Sequence, residues 1–115
     1  MIDRLFVYGS LQPGGSNHAV LDQYSGTWEQ AHVIGILHDR GWGSNQGYPG
    51  LTLDPEGEPV SGYVLTSSDL SENWKALDEF EGSEYKRCLT QVTLSSGDIV
   101  FAHVYALATD NESKP

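Results

Sequence analysis

Cysteine occurs once in this chain, methionine once, and lysine and arginine together only six times. The lone Cys88 excludes an intrachain disulfide and a Cys-based zinc site. Six basic residues against 16 acidic ones leave a net charge of −10, which opposes phosphate-rich partners. Nucleic acid and anionic membrane surfaces are therefore not expected as partners. No apolar run approaches the ~20 residues of a membrane span, and the first residues lack the basic-then-apolar layout of a secretory signal. A cytoplasmic location is expected. His18, His32, His38 and His103 are scattered without a ligand spacing, so no metal site is expected. Internal repeats and low-complexity segments are also missing.

The 115 residues, 38% of them hydrophobic, suit one soluble domain with its own core. Its bounds are expected at 1–108, with 109–115 a polar, frayed tail. Leu5-Phe6-Val7-Tyr8 is the apolar run around which the rest is organised; it stops in Gly9-Ser10-Leu11-Gln12-Pro13-Gly14-Gly15. Ile2 to Tyr8 reads as a strand on its β-branched and aromatic content. Gly9 lets the backbone turn sharply or approach a ligand closely, and successive amides in such a turn can converge on an anion. Two readings stay open: an ordinary strand end, or a cradle for a carboxylate or phosphate. The dinucleotide spacing G-x-G-x-x-G is missing, and no G-K-[ST] follows.

Further along, Ser16 or Asn17 is placed to cap a short helix reaching about Tyr24, with Ala19, Val20 and Leu21 as its apolar side. Thr27 to Asp39 predicts a long strand with a bulge or close contact at Gly35. Arg40 to Gly50 reads as a loop whose Trp42 and Tyr48 fold back onto the body. Leu51-Thr52-Leu53 and Val60 to Thr66 are expected to pair around the acidic turn 54–59. One firm helix begins near Ser68 or Asp69, where Asp69 and Glu72 have capping-box spacing. It carries Leu70, Trp74 and Leu77 on one side and stops at Gly82. Tyr85–Leu94 and Ile99–Leu107 predict an antiparallel hairpin around Ser95-Ser96-Gly97-Asp98. If Leu94 faces Ile99, Cys88 falls opposite Tyr105, and Tyr85 and Tyr105 lie on opposite faces. The second strand, apolar at nearly every position, should be central and covered on both sides. The sum is an α+β fold: a small, mostly antiparallel β-barrel with one main helix and one short one.

Glu81 is the most suggestive single residue for chemistry. Between Phe80 and Gly82 at a helix C-terminus, apolar neighbours and the negative end of the helix dipole would both raise its pKa toward a useful acid/base range. The competing reading makes Asp78, Glu79, Glu81 and Glu84 a solvated acidic helix end. Cys88 with His103 invites a thiol-nucleophile reading, against which a lone strand cysteine is usually a small core residue. Arg87 reads as an ion-pair partner of one of the acids or as a contact for substrate, with the structural role favoured. Trp28, Trp42 and Trp74 read as packing residues, Trp42 being the one with a place near a pocket mouth.

Several of these pieces occur together in order: Phe6-Val7-Tyr8-Gly9-Ser10-Leu11, Asn17-His18, Tyr48-Pro49-Gly50, Val60-x-Gly62-x-Val64, and Leu77-Asp78-Glu79-Phe80-Glu81-Gly82-x-x-Tyr85-x-Arg87. From Leu5 to about Tyr105 the chain resembles the γ-glutamylcyclotransferase-like family, which includes γ-glutamylamine cyclotransferases and the plant avirulence-induced-gene proteins. The resemblance implies a small β-barrel with flanking helices. It also implies cyclisation of a γ-glutamyl group to 5-oxoproline with release of an amine or amino acid, a transferase or lyase chemistry needing no cofactor. Glu81 matches the family's catalytic glutamate. The amides of Gly9, Ser10 and Leu11 would hold the substrate's α-carboxylate and neighbouring groups, and Tyr8, Tyr85 and Tyr105 match pocket positions. Leu11 directly after Ser10 is more like the amine-releasing and uncharacterised branches than the free-dipeptide enzymes, which typically carry an extra asparagine there. The implied partner is a small γ-glutamyl substrate, with the chain a monomer or homodimer. The alternative is a binding domain of the same fold that does no chemistry.

Overall fold

The computed structural model describes residues 3–9, 12–14, 18–38, 50–82 and 85–107. The expectations for Ser16, Asn17, Trp42, Tyr48 and the tail lie outside them. In chain order the elements are β1 (Arg4–Val7), α1 (Ala19–Asp22), β2 (Thr27–His38), β3 (Gly50–Leu53), β4 (Glu58–Thr66), a 3₁₀ helix (Ser68–Glu72), α2 (Trp74–Glu81), β5 (Tyr85–Leu94) and β6 (Ile99–Leu107).

The strands hydrogen-bond in the order β3-β2-β4-β1-β6-β5, and β5 returns to β2 through Ala31↔Leu94 and His32↔Thr93. That return closes five strands, β2-β4-β1-β6-β5, into a mixed barrel. Only β1 and β6 run parallel. Closure removes the open edges that a small sheet would otherwise present for aggregation.

Residues of one parity fill the barrel interior: Phe6, Ala31, Val33, Val60, Val64, Val92, Ala102 and Val104, with Leu51 at one end. The other parity of β1, β4 and β6 packs outward under the helices, where Leu5, Val7, Leu65 and Tyr105 meet Leu21, Leu70 and Leu77. Trp28 and Trp74 lie half-buried against this second cluster, as packing residues should. In α1, Leu21 is buried while Ala19 is exposed.

β3 pairs with β2 and not with β4, against expectation. β2 outruns β4, and its last residues, Gly35 to His38, take up β3 on the opposite edge. The chain crosses over β2 at Gly35, which pairs with both Leu53 and Glu58, in the turn closed by Gly57 N–H donating to Asp54 O at 2.9 Å. The crossing is tight: a Cβ on Gly57 would stand 2.2 Å from Gly35 O, and one on Gly35 would stand 2.6 Å from Thr52 O.

The main helix is also not continuous. Ser67, rather than Ser68 or Asp69, caps the 3₁₀ segment by accepting from Asp69 N–H at 3.1 Å. Asp69 forms no capping box; its Oδ2 accepts from Ser25 N–H at 2.9 Å instead. A break at Asn73 then starts α2, and Gly82, at φ 87°, ends it as its position predicts.

The β5–β6 register differs by one residue from the simple pairing. Thr93, not Leu94, faces Ile99; Arg87 faces Tyr105 and Cys88 faces Val104. Leu94 N–H donates to Asp98 O at 2.8 Å and Gly97 N–H to Leu94 O at 2.8 Å, so Ser95, Ser96 and Gly97 alone turn the chain. A three-residue loop of this kind needs a left-handed residue at its end, and Gly97 supplies φ 99°. Nothing lies within 4 Å of a Cβ added there, so Gly97→Ala tests the backbone alone. It should cost about 1–2 kcal/mol in a denaturant melt, and a neutral result would refute this loop geometry.

β6 is central in its pairing, but only its second half is covered on both faces. Val104 to Leu107 are all buried, whereas Ile99 is 63% and Phe101 48% exposed.

Candidate active site

A one-residue change of register moves every side chain of a strand to the other face. Because Tyr85 is paired with Leu107 and Arg87 with Tyr105, the phenols of Tyr85 and Tyr105 share the outer face of the hairpin, beneath α2. There they line a cleft of about 400 Å³ together with Asp78, Glu79, Gly82 and Arg87.

α2 presents Leu77 to the barrel as its buried residue and places Asp78 over the Arg87–Tyr105 pair. The Asp78 carboxylate accepts from Arg87 Nε at 2.9 Å and Nη2 at 3.3 Å, and from the Tyr105 hydroxyl at 2.6 Å. The Arg87 guanidinium also lies over the Trp74 ring, 4.5 Å from its centroid, a favourable cation–π placement. Asp78 is thus tied to the barrel although its side chain stays 43% exposed. Its role depends on which strand residues lie beneath it, and composition carries no signal of that.

Tyr8, just past the end of β1, packs against the barrel interior rather than the cleft wall. Its hydroxyl donates to Tyr105 O at 2.7 Å and accepts from Leu51 N–H at 3.1 Å. Burial raises its pKa, with the Tyr85 and Glu81 charges adding to the effect. Burial likewise raises that of Tyr105, reinforced by the hydrogen bond to Asp78. After Tyr8 the chain turns, and Gly9 O accepts both the main-chain N–H and the side-chain amide of Gln12, at 3.1 and 3.2 Å. Ser10 and Leu11 lie outside the described residues, as does Glu84.

Glu81 is the last residue of α2. Burial pushes its carboxyl up to about 7, and its charge is felt by both Tyr8 and Tyr105. Phe80 is not what strips water from it: that ring is 47% exposed. Glu79, which does line the cleft, is exposed to solvent. The thiol-nucleophile reading fails on geometry, since Cys88 packs against the barrel interior while His103 lies on the outer face, 4.5 Å from the Trp74 ring. Among the described residues no three His, Cys, Asp or Glu side chains converge as a metal site requires. No helix among them is long and apolar enough to cross a membrane.

The half-buried Glu81 carboxyl, its pKa raised to about 7, thus stands at the end of α2 beside a tyrosine-lined cleft. The family model described as "Gamma-glutamyl cyclotransferase, AIG2-like" matches residues 5–115. The chain belongs to that family. Gamma-L-glutamyl-butirosin B gamma-glutamyl cyclotransferase of Niallia circulans is 38% identical over 77 residues, covering 67% of this chain and 44% of the relative. Among solved structures, an AIG2-like protein of Mus musculus superposes with a TM-score of 0.71 at 30% identity, over 94% of this chain and 78% of the mouse chain. YkqA of Bacillus subtilis gives the same TM-score of 0.71 at 29% identity, over 94% of this chain and 36% of its own. The chain therefore spans less than half the length of the Niallia circulans and Bacillus subtilis proteins. The five-stranded mixed barrel with its helix and 3₁₀ turn is the family's fold.

Proposed function

We propose that this domain cyclises a γ-glutamyl amide to 5-oxoproline and releases the amine, with Glu81 as general acid and base. The observation that carries this reading is the Glu81 carboxyl, held near neutrality at the end of α2. An acid/base works best when its pKa lies near the operating pH. A pocket that only bound a small carboxylate would have no use for a buried acid there, and this favours the enzyme over the binding domain.

The reaction asks little else of the protein. The substrate's α-ammonium gives a proton to Glu81, and its nitrogen then attacks the γ-carbonyl carbon. The tetrahedral adduct collapses with cleavage of the amide C–N bond as Glu81 returns that proton to the departing nitrogen, and the second proton on the ring nitrogen passes to the released amine, which leaves as its ammonium. Nucleophile and electrophile are tethered through three carbons, so holding the folded conformer supplies much of the rate.

Tyr105 spends its proton on Asp78 and Tyr8 spends its own on Tyr105 O. In this reading the Tyr105 oxygen therefore serves as an acceptor for the substrate's ammonium. Stabilising the oxyanion falls to Tyr85 and to the loop amides beginning at Gly9, with Ser10 and Leu11 as the further donors proposed.

The leaving group is proposed to be an amine rather than a free amino acid, supported by the Ser10-Leu11 form of the loop and by the butirosin B in the name of the Niallia circulans relative. A panel of γ-glutamyl amines and dipeptides assayed for 5-oxoproline tests both statements. Product should form fastest from the amines, and kcat/KM should fall below a limb at about pH 7, where Glu81 takes up its proton. No product across the panel, with native mass spectrometry finding unaltered ligand bound, would establish the binding domain instead.

A further inference from the structure

Asp78 stands one helical turn before Glu81, and it is engaged twice. Its main-chain oxygen accepts from Gly82 N–H at 3.1 Å and so closes the last turn of α2. Its carboxylate ties that same turn to the barrel through Arg87 on β5 and Tyr105 on β6. The helix has eight residues and buries only Leu77, and a helix this short has little stability of its own. Without the Asp78 attachment, its last turn is free to lift away from the cleft. Tyr105 belongs to a second link as well, since its main-chain oxygen holds the Tyr8 hydroxyl at 2.7 Å. The glycine turn after β1 and the end of α2 are therefore referenced to one strand residue.

We propose that Asp78 is the positioning residue of this site: clamped by Arg87 and Tyr105, it holds the last turn of α2 against β5 and β6 and so sets where the Glu81 carboxyl sits. The inference rests on the reading of Glu81 as the acid/base, and Asp78 acts through Glu81 rather than on the substrate. Among the described residues, Tyr8 after β1 and Tyr105 on β6 feel the charge of Glu81, and the adjacent cleft brings Tyr85 and Arg87 of β5 and Asp78 and Glu79 of its own helix to the same end of α2. Field effects from these groups have definite signs, and this makes positioning separable from charge. Removing the negative Asp78 by field alone lowers the Glu81 pKa, and removing the positive Arg87 raises it. Lifting the helix end exposes Glu81 to water and lowers its pKa whichever partner is lost.

The test is an NMR titration of the Glu81 carboxyl in the wild type and in Asp78→Asn, Arg87→Gln and Tyr105→Phe, with thermal melts and kinetics on a γ-glutamyl amide alongside. Positioning predicts that the pKa drops from about 7 toward the ordinary carboxylate range in all three variants. It also predicts that the acid limb of kcat/KM moves with it and that kcat falls roughly 10- to 100-fold. Arg87→Lys, which keeps one charged hydrogen bond, should recover part of both. Opposite shifts in Asp78→Asn and Arg87→Gln, or an unchanged pKa in Tyr105→Phe, would overturn the proposal. Should either charge variant fail to fold, Tyr105→Phe decides alone, since it deletes one hydroxyl and no charge. Absence of turnover in the wild type would refute the acid/base reading, while the titration would still decide the positioning.

Discussion

Glu81→Gln should lower kcat by roughly 10²–10⁴ on any γ-glutamyl amide the domain turns over, the usual worth of a positioned acid/base, and should raise the melting temperature at pH 8. Both effects have one cause. The folded chain holds the Glu81 proton up to a pKa of about 7, against an ordinary value of 4.5. Between those values the native state binds a proton that the unfolded chain has released, so stability falls as pH rises through that window. The penalty is complete above pH 7 and absent below 4.5. Its size is at most about 3 kcal/mol, and glutamine, which cannot ionise, escapes it. The variant should therefore melt several degrees above wild type at pH 8 and level with it at pH 4. Glu79→Gln, at an exposed position on the rim of the cleft, should leave the melt unchanged and lower kcat by far less than Glu81→Gln does. Wild-type turnover in Glu81→Gln would end the catalytic assignment, and an equal melting gain at both pH values would trace the effect to packing rather than charge.

The second large effect is expected at Gly62, in the middle of β4. A Cβ there would stand 2.2 Å from Val7 O and 2.7 Å from Phe6 Cζ. Neither atom can yield cheaply. Val7 belongs to the β1–β4 ladder opposite Tyr63, and the Phe6 ring is among the largest fully buried side chains of the barrel interior. Gly62→Ala should cost about 3 kcal/mol or more and lower the melting temperature by roughly 10 °C or more. Because Tyr8 directly follows Val7, residual folded protein should also bind substrate more weakly. A melt within two or three degrees of wild type, roughly the resolution that separates it from a surface change, would show that β1 and β4 are less tightly apposed.

Features governed by local chemistry were legible before any coordinates. The strand into Tyr8, the turn at Gly9, the long β2, the stop at Gly82 and the hairpin at Gly97 follow from propensity and turn residues acting over a few positions. The place of Glu81 at a helix end points to a raised pKa, but Phe80, 47% exposed, does not supply the burial that causes it. What escaped was pairing. Whether Ser95 to Gly97 or Ser95 to Asp98 forms the turn is a difference of one residue, invisible in composition. It decides whether Tyr85 and Tyr105 share a wall.

The partner of β3 was misjudged because nearness in sequence favours a hairpin, while the ladder goes to whichever edge is open. β4 already gives its edges to β2 and β1, and the overhanging end of β2 offers the unpaired groups. Which of the clustered acids Arg87 pairs with is open along the chain for a similar reason. An acidic run looks the same along the chain whether or not an arginine and a phenol stand beneath one of its members.

By itself the amino-acid sequence determined the α+β character of this domain, its Glu81 candidate and the glycine turn after Tyr8, because hydrophobic period, turn chemistry and a helix stop act between neighbours in the chain. Only the tertiary structure decided the closure of β5 onto β2, the shared face of the two cleft tyrosines, and the clamp of Arg87 and Tyr105 on Asp78. Each of those brings together residues far apart in sequence through a ladder register, and a register is settled by the competition of whole strands for partners rather than by any residue alone.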